Sequence, residues 1–239
     1  MKPLTQSIVL VTGASGGIGQ ACVRAFTDAG AKVIATDVKG DGCTPVDIRN
    51  ERAVEQLFAG IESLDVLVNN AAIFRPMKPA HETTAAEFDQ LIAVNLRGLF
   101  FCCKHAYRLL QRSKGCIVNV SSMAGVHGEK GHAVYCATKG AINALTQAMA
   151  IDYGADGIRC NAICPSSVLT PNTDALVNEA RDPAAIVEMR RRITQLGYTA
   201  KPEEIASVAV FLASPAASFM TGAIVPVSGG SECGYGIKP

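Results

Sequence analysis

The sequence contains no tryptophan, and aromatic residues make up 5% of its 239 positions. Its apolar excess, 49% by class, is therefore carried by Ala, Val and Ile. It also lacks a dominant charge. The 22 basic and 21 acidic residues leave a formal charge of +1, which gives no field to gather DNA, RNA or an anionic membrane. No uninterrupted apolar run approaches the roughly 18 residues that would span a bilayer. The nine cysteines form no C-x-x-C pair, and Cys102 and Cys103 are simply adjacent. Reduced thiols serving as small apolar residues fit this usage better than a zinc site or a redox pair, so no metal is expected. Residues Met1 to Gln6 carry no signal-peptide architecture, and the expected compartment is the cytoplasm.

What is present points to a thick core. Charged residues are 18% of the chain, which excludes disorder and leaves apolar surface for an oligomer to hide. The length suits one large α/β domain over residues 1–239. A chain of this size buries roughly 70% of its unfolded surface without help from disulfides or metal.

Strand-like and helical segments alternate. Short apolar runs are predicted as strands at 8–11, 32–36, 65–69, 115–121, 158–164 and 223–227, with a further short run ending at Val46-Asp47. Helices are predicted at 17–30, 51–61, 135–153 and 202–212, and a long helix, open to interruption, at 84–111. Residues 172–197 read as polar and helical. Alternation of this kind implies a doubly wound parallel sheet of about seven strands with helices on both faces.

Thr12 to Gly19 joins the first strand to the first helix with glycines at 13, 17 and 19. Such a turn lets backbone N–H groups approach a pyrophosphate at a helix N-terminus. No Gly-Lys-Ser/Thr follows, so it is not a Walker A loop. Asp37 ends the second strand, where a carboxylate accepts ribose hydroxyls and repels a 2′-phosphate. The glycine turn carries no Arg or Lys, so NAD is expected over NADP. Lys39 is the one nearby cation that complicates this, and a simple turn-starting role for Asp37 stays open.

Tyr135 and Lys139 stand four apart on one helix face, and Ser122 follows the strand before them. An ammonium near a phenol favours the phenolate, which suits a tyrosine to acid–base work near neutral pH. The glycine turn, Asp37 and this triad together resemble the short-chain dehydrogenase/reductase family. The resemblance covers about residues 5–231 and also takes in Asp47, Asn69-Asn70-Ala71, Asn95 and Pro165 to Thr170.

The resemblance implies a single-domain Rossmann fold, an NAD cofactor, a homotetramer and a substrate lid at about 171–197. It implies Tyr135 as general acid/base, Lys139 on the nicotinamide ribose, Ser122 on the substrate oxygen and Asn95 holding a water that links Lys139 to solvent. It further places Gly13, Ser15, Gly17, Ile18 and Gly19 on the pyrophosphate side. Asp47 and Ile48 fall at the adenine, Asn69 and Ala71 by the adenosine ribose, and Pro165, Val168 and Thr170 by the nicotinamide. Plainer roles stay open: a helix-kink bridge for Asn95, a strand cap for Asn69-Asn70, and part of a helix start for Asp47.

Four departures from the family pattern stand out. Ala72 replaces a glycine, Ser166 replaces the glycine after Pro165, and Ser228 replaces an aspartate before Gly229-Gly230. Ser166 faces substrate or merely builds a turn. The fourth is larger, because only nine residues separate Asp37 from Asp47. A crossover helix does not fit there, so a loop is expected and the adenosine side should be more open.

The function expected is hydride transfer between a secondary alcohol or ketone and NAD, with a partial likeness to the 3-hydroxybutyrate-dehydrogenase-like branch. The alternatives are an NADPH-dependent 3-oxoacyl thioester reductase and a non-enzymatic nucleotide-binding scaffold. His127, Lys130, His132 and the arginines 181, 190, 191 and 192 are candidates for meeting an anionic substrate, against a plainer reading as solvated surface.

Overall fold

The computed structural model describes residues 4–40, 42–75 and 77–233. The chain runs β1 (Ile8–Thr12), α1 (Gly17–Asp28), β2 (Lys32–Asp37), β3 (Thr44–Pro45), α2 (Glu51–Ala59), β4 (Val66–Asn69) and α3 (Ala85–Leu91). It continues with α4 (Leu99–Ser113), β5 (Cys116–Val120), α5 (Ala133–Gly154), β6 (Arg159–Pro165), α6 (Pro171–Glu179), α7 (Pro183–Ile193), α8 (Pro202–Ala213) and β7 (Ile224–Val227). The seven strands form one parallel sheet in the order β3-β2-β1-β4-β5-β6-β7.

Strand residues alternate between two apolar layers. Val9, Val11, Val66, Val68 and Val118 pack with α1 and α8 through Cys22, Phe26, Ile205 and Leu212. Leu10, Leu67 and Ile117 point the other way, onto Phe58, Leu99, Leu110 and Ile142 of α2, α4 and α5. Burial on both faces explains why the strands read as continuous apolar runs. The chain leaves β1 toward β2 on one side and resumes at β4 on the other. The crevice at this reversal, beyond the carboxyl ends of β1 and β4, is where doubly wound sheets bind ligands.

The connection from β2 to β3 is short, and none of its described residues is helical. Asp41 lies outside the described residues. The register explains how six residues suffice. Thr44 pairs with Thr36 and Pro45 with Asp37, so β3 begins level with the end of β2 and the chain need not return the length of a strand.

The expected long helix is interrupted. Thr84 caps α3 with a full capping box to Glu87, and residues Ile92–Gly98 then wind as a π-helix before α4. The segment 171–197 is two helices. Asp182 accepts a hydrogen bond from Ala185 N–H, and Pro183 occupies the first position of α7.

Candidate active site

A cleft of about 1030 Å³ opens at the carboxyl ends of the strands. Its floor is the turn after β1. Gly13 takes φ +64°, and a Cβ there would stand 2.6 Å from Ala71 Cα. A Cβ at Gly17 would meet the Thr170 side chain at 2.8 Å, so the loop after β6 closes directly over the turn. Gly16 at the N-cap of α1 offers no side-chain oxygen, which leaves the first-turn N–H groups without a side-chain cap. An uncapped helix start behind a glycine-rich turn fits a pyrophosphate.

Asn70 fastens this floor. Its Nδ2 donates to the Thr12 and Gly13 carbonyls at 3.0 and 2.9 Å, while the Thr12 hydroxyl accepts from the N–H groups of Asn70 and Ala71, both at 3.1 Å. Sequence reasoning gave the ribose side to Asn69 and Ala71. Ala71 lines the cleft. The Asn69 side chain turns into the sheet instead, donating to Asn119 Oδ1 at 2.9 Å. Gly19 also sits behind the cleft wall, where a Cβ would overlap the Gly13 carbonyl.

At the β2 end of the cleft, Asp37 accepts from Ser15 through both its N–H and its hydroxyl. Val46, Asp47 and Ile48 follow along the wall. Arg49, a residue the sequence did not flag, also lines the cleft and grips Asp47 through Nε and Nη2 at 2.9 and 2.7 Å. That bond holds the Asp47 carboxyl below its usual range.

At the other end Ser122, Tyr135 and Lys139 meet. Ser121 donates to the Lys139 carbonyl at 3.0 Å, seating the Ser122 turn on α5. Lys139 is buried, and its Nζ donates to the Val120 carbonyl at 2.8 Å. Burial pulls its pKa down to about 8. Burial pushes the Tyr135 phenol up to about 12, opposed by a hydrogen bond from Ser122. The expected lowering of the phenol pKa by Lys139 is therefore not seen in this state. Desolvation is the main cause of both shifts, and Nζ lies 5.7 Å from the ring centroid.

Asn95 lies in the π-helical turn behind the cleft. It accepts from Ile73 N–H at 2.8 Å, donates to Ile73 O at 2.7 Å and donates to the Thr138 hydroxyl at 3.2 Å. Thr138 in turn donates to the Tyr135 carbonyl at 2.7 Å. Thr138 is the link that sequence reasoning missed, and its place directly before Lys139 was the available signal.

Pro165, Ser166, Val168 and Thr170, from the loop after β6, line the same cleft. The Ser166 hydroxyl donates to Ser228 O at 2.9 Å, so it builds the turn. The arginines of this region separate. Arg190 turns inward, is 7% exposed and donates to Thr173 O at 2.8 Å, whereas Arg191 and Arg192 pair with Glu188. Arg181 and Lys130 stand away from the cleft wall, which His127 and His132 do line. Among the described residues no cluster of metal-binding side chains occurs, and no helix is long and apolar enough to cross a membrane.

A family model described as "Enoyl-(Acyl carrier protein) reductase" matches residues 13–232. Mouse L-fucose dehydrogenase is 40% identical over 97% of this chain and 90% of its own length. The chain belongs to the short-chain dehydrogenase/reductase family. Meso-2,3-butanediol dehydrogenase of Serratia marcescens is 38% identical over 96% of each chain. In structure, the ligand-free aldohexose dehydrogenase of Thermoplasma acidophilum superimposes with a TM-score of 0.94 at 33% identity, covering 100% of this chain and 98% of that one. As a short-chain dehydrogenase/reductase, the protein is an oxidoreductase of CH–OH groups that uses a nicotinamide cofactor.

Proposed function

We propose that the protein is an NAD-dependent dehydrogenase of a secondary alcohol carrying further hydroxyl groups, such as a sugar or a vicinal diol. One observation carries this reading: the glycine turn, Asp37 and the Ser122–Tyr135–Lys139 group all line a single cleft. The names of the relatives, for fucose, butanediol and aldohexose, move the substrate from a hydroxy acid toward a polyol.

A bound nicotinamide supplies the hydride acceptor for the carbinol carbon. The chain's own residues do the rest. The first turn of α1 holds the pyrophosphate, Asp37 takes the adenosine ribose hydroxyls, and Val168 and Thr170 meet the nicotinamide. Ser122 holds the substrate oxygen, and Tyr135 accepts its proton as the carbonyl forms. Lys139 gives one N–H to Val120 O and has two more for the nicotinamide ribose, and its ammonium favours the Tyr135 phenolate. Asn95 and Thr138 keep the Tyr135 turn of α5 in register. Residues 171–197 act as the lid over a single domain. A cytoplasmic homotetramer completes the reading, with exposed Ile151, Phe211 and Phe219 as apolar surface for subunit contacts. The C-terminal segment expected to join those contacts lies outside the described residues from 234 onward.

The test mixes the protein with NAD⁺ or NADP⁺ and a panel of sugars, diols and simple alcohols, following the reduced cofactor by absorbance. Selective turnover with NADP⁺ would sink the cofactor assignment. Tyr135→Phe should abolish turnover and keep cofactor binding.

A further inference from the structure

His132 lines the cleft but has no part in the mechanism above. It stands three residues before Tyr135, immediately ahead of α5, and is 7% exposed. Neither ring nitrogen has a hydrogen-bond partner. Nδ1 lies 3.4 Å from Glu129 Oε2, at ion-pair distance but without hydrogen-bond geometry. Buried polar atoms left this way are rare, because they lose their hydration and gain nothing in return.

Helix capping does not account for the residue. His132 occupies the N-cap of α5, yet its side chain makes no capping bond, whereas Asn50, Thr84 and Asp182 all cap their helices. Its ring packs against Tyr135, with centroids 5.8 Å apart and planes at 57°. An unused polar group thus sits beside the phenol that receives the reacting oxygen. The lid adds mostly apolar side chains to the same cleft, among them Leu176, Ile186 and Met189.

We propose that His132, oriented by Glu129, is a specificity-determining residue that bonds a second substrate hydroxyl, on the carbon next to the reacting carbinol. This rests on the dehydrogenase reading above. In a vicinal diol one carbon–carbon bond separates the two oxygen-bearing carbons. When Ser122 and Tyr135 hold one oxygen, the other must be met by a polar group close to Tyr135, and His132 packs on that ring. Both ring nitrogens are buried as the ring stands, so the side chain must turn one of them into the cleft. In the neutral ring the nitrogen without the proton then accepts the substrate O–H, and Glu129, 3.4 Å from Nδ1, steers the ring. A site built to bond a hydroxyl discriminates against the analogue lacking it, since its own polar group is then buried and unpaired.

The test compares 2,3-butanediol with 2-butanol as substrates, with NAD⁺ as oxidant. The wild type is expected to favour the diol by roughly 100-fold in kcat/KM. His132→Leu should lower that preference by about the same factor. His132→Gln, which keeps a polar atom, should retain part of it, and Glu129→Gln should reduce it less than His132→Leu. NAD⁺ binding, followed by thermal shift, reports whether each variant folds. A preference unchanged in all three variants overturns the proposal, as does an equal fall on both alcohols. A wild type that oxidises 2-butanol as well as the diol overturns this inference and leaves the dehydrogenase reading standing. A wild type that oxidises no alcohol or sugar with either cofactor overturns both.

Discussion

The Asp37 carboxylate accepts two hydrogen bonds from one residue, the N–H of Ser15 at 3.0 Å and its hydroxyl at 2.7 Å. The end of β2 is thereby tied to the glycine turn before any nucleotide arrives. A carboxylate held in this place accepts ribose hydroxyls and repels a 2′-phosphate. Asp37→Ala should lower kcat/KM for NAD⁺ by about 10- to 100-fold, the worth of one or two hydrogen bonds to a charged group. The proposed preference for NAD⁺ over NADP⁺ should narrow, as steady-state kinetics with both cofactors would show.

Lys139 is a buried ammonium whose pKa falls from its ordinary 10.5 to about 8. The unfolded chain binds the proton more tightly, so burial costs stability in full below pH 8, and the cost fades as pH rises to 10.5. Lys139→Met should abolish turnover yet raise the unfolding free energy at pH 7 by about 1–3 kcal/mol. Denaturant titration should show that advantage over the wild type shrinking between pH 8 and 10.5.

Ser122 lowers the Tyr135 pKa against the rise caused by burial. Alcohol oxidation needs the phenolate, so its rate should climb with pH. Ser122→Ala should cut kcat by roughly 100- to 1,000-fold and move the rising limb of the pH–rate profile to higher pH. A limb that stays in place would show that Ser122 does not act on the phenol.

Asn95 satisfies both backbone groups of Ile73 and reaches Thr138, all in buried or half-buried surroundings. Asn95→Ala should destabilise the protein by about 1–3 kcal/mol through the groups it strands. Thr138→Val, which cuts the link to the Tyr135 carbonyl, should lower kcat more than it lowers the denaturation midpoint.

The sheet was legible in the sequence because each strand is a short apolar run closed by a turn residue, as at Thr12-Gly13. The glycine turn, Asp37 and the Ser122–Tyr135–Lys139 group were legible through their spacing. The π-helical turn at Ile92–Gly98 was not, because a change of backbone hydrogen-bond register leaves the apolar pattern almost intact. The roles of Asn69 and Asn70 depended on direction, which adjacent identical residues do not reveal: one turns into the sheet and the other clasps the glycine turn. Arg49 and Thr138 act through partners brought to them by the fold. His132 stood out as a candidate for meeting an anionic substrate, but the lack of hydrogen bonds at its ring nitrogens is a property of the packing around it. The break at Asp182-Pro183 was legible in principle, as an N-cap followed by a first-turn proline.

The cysteines give the folded chain a second use for its core. All nine are free, and Cys22, Cys102, Cys103, Cys116, Cys160 and Cys164 are buried. Burial raises the pKa of Cys22 and Cys103 to about 12 and of Cys116 to about 11, so these thiols hold their protons and resist alkylation. Only Cys43, Cys136 and Cys233 stand partly or fully open to a reagent. A thiol-reactive dye should therefore label the native protein quickly at those three positions, and the other six should follow at the rate at which the core opens. The chain carries its own unfolding clock, readable without an engineered residue.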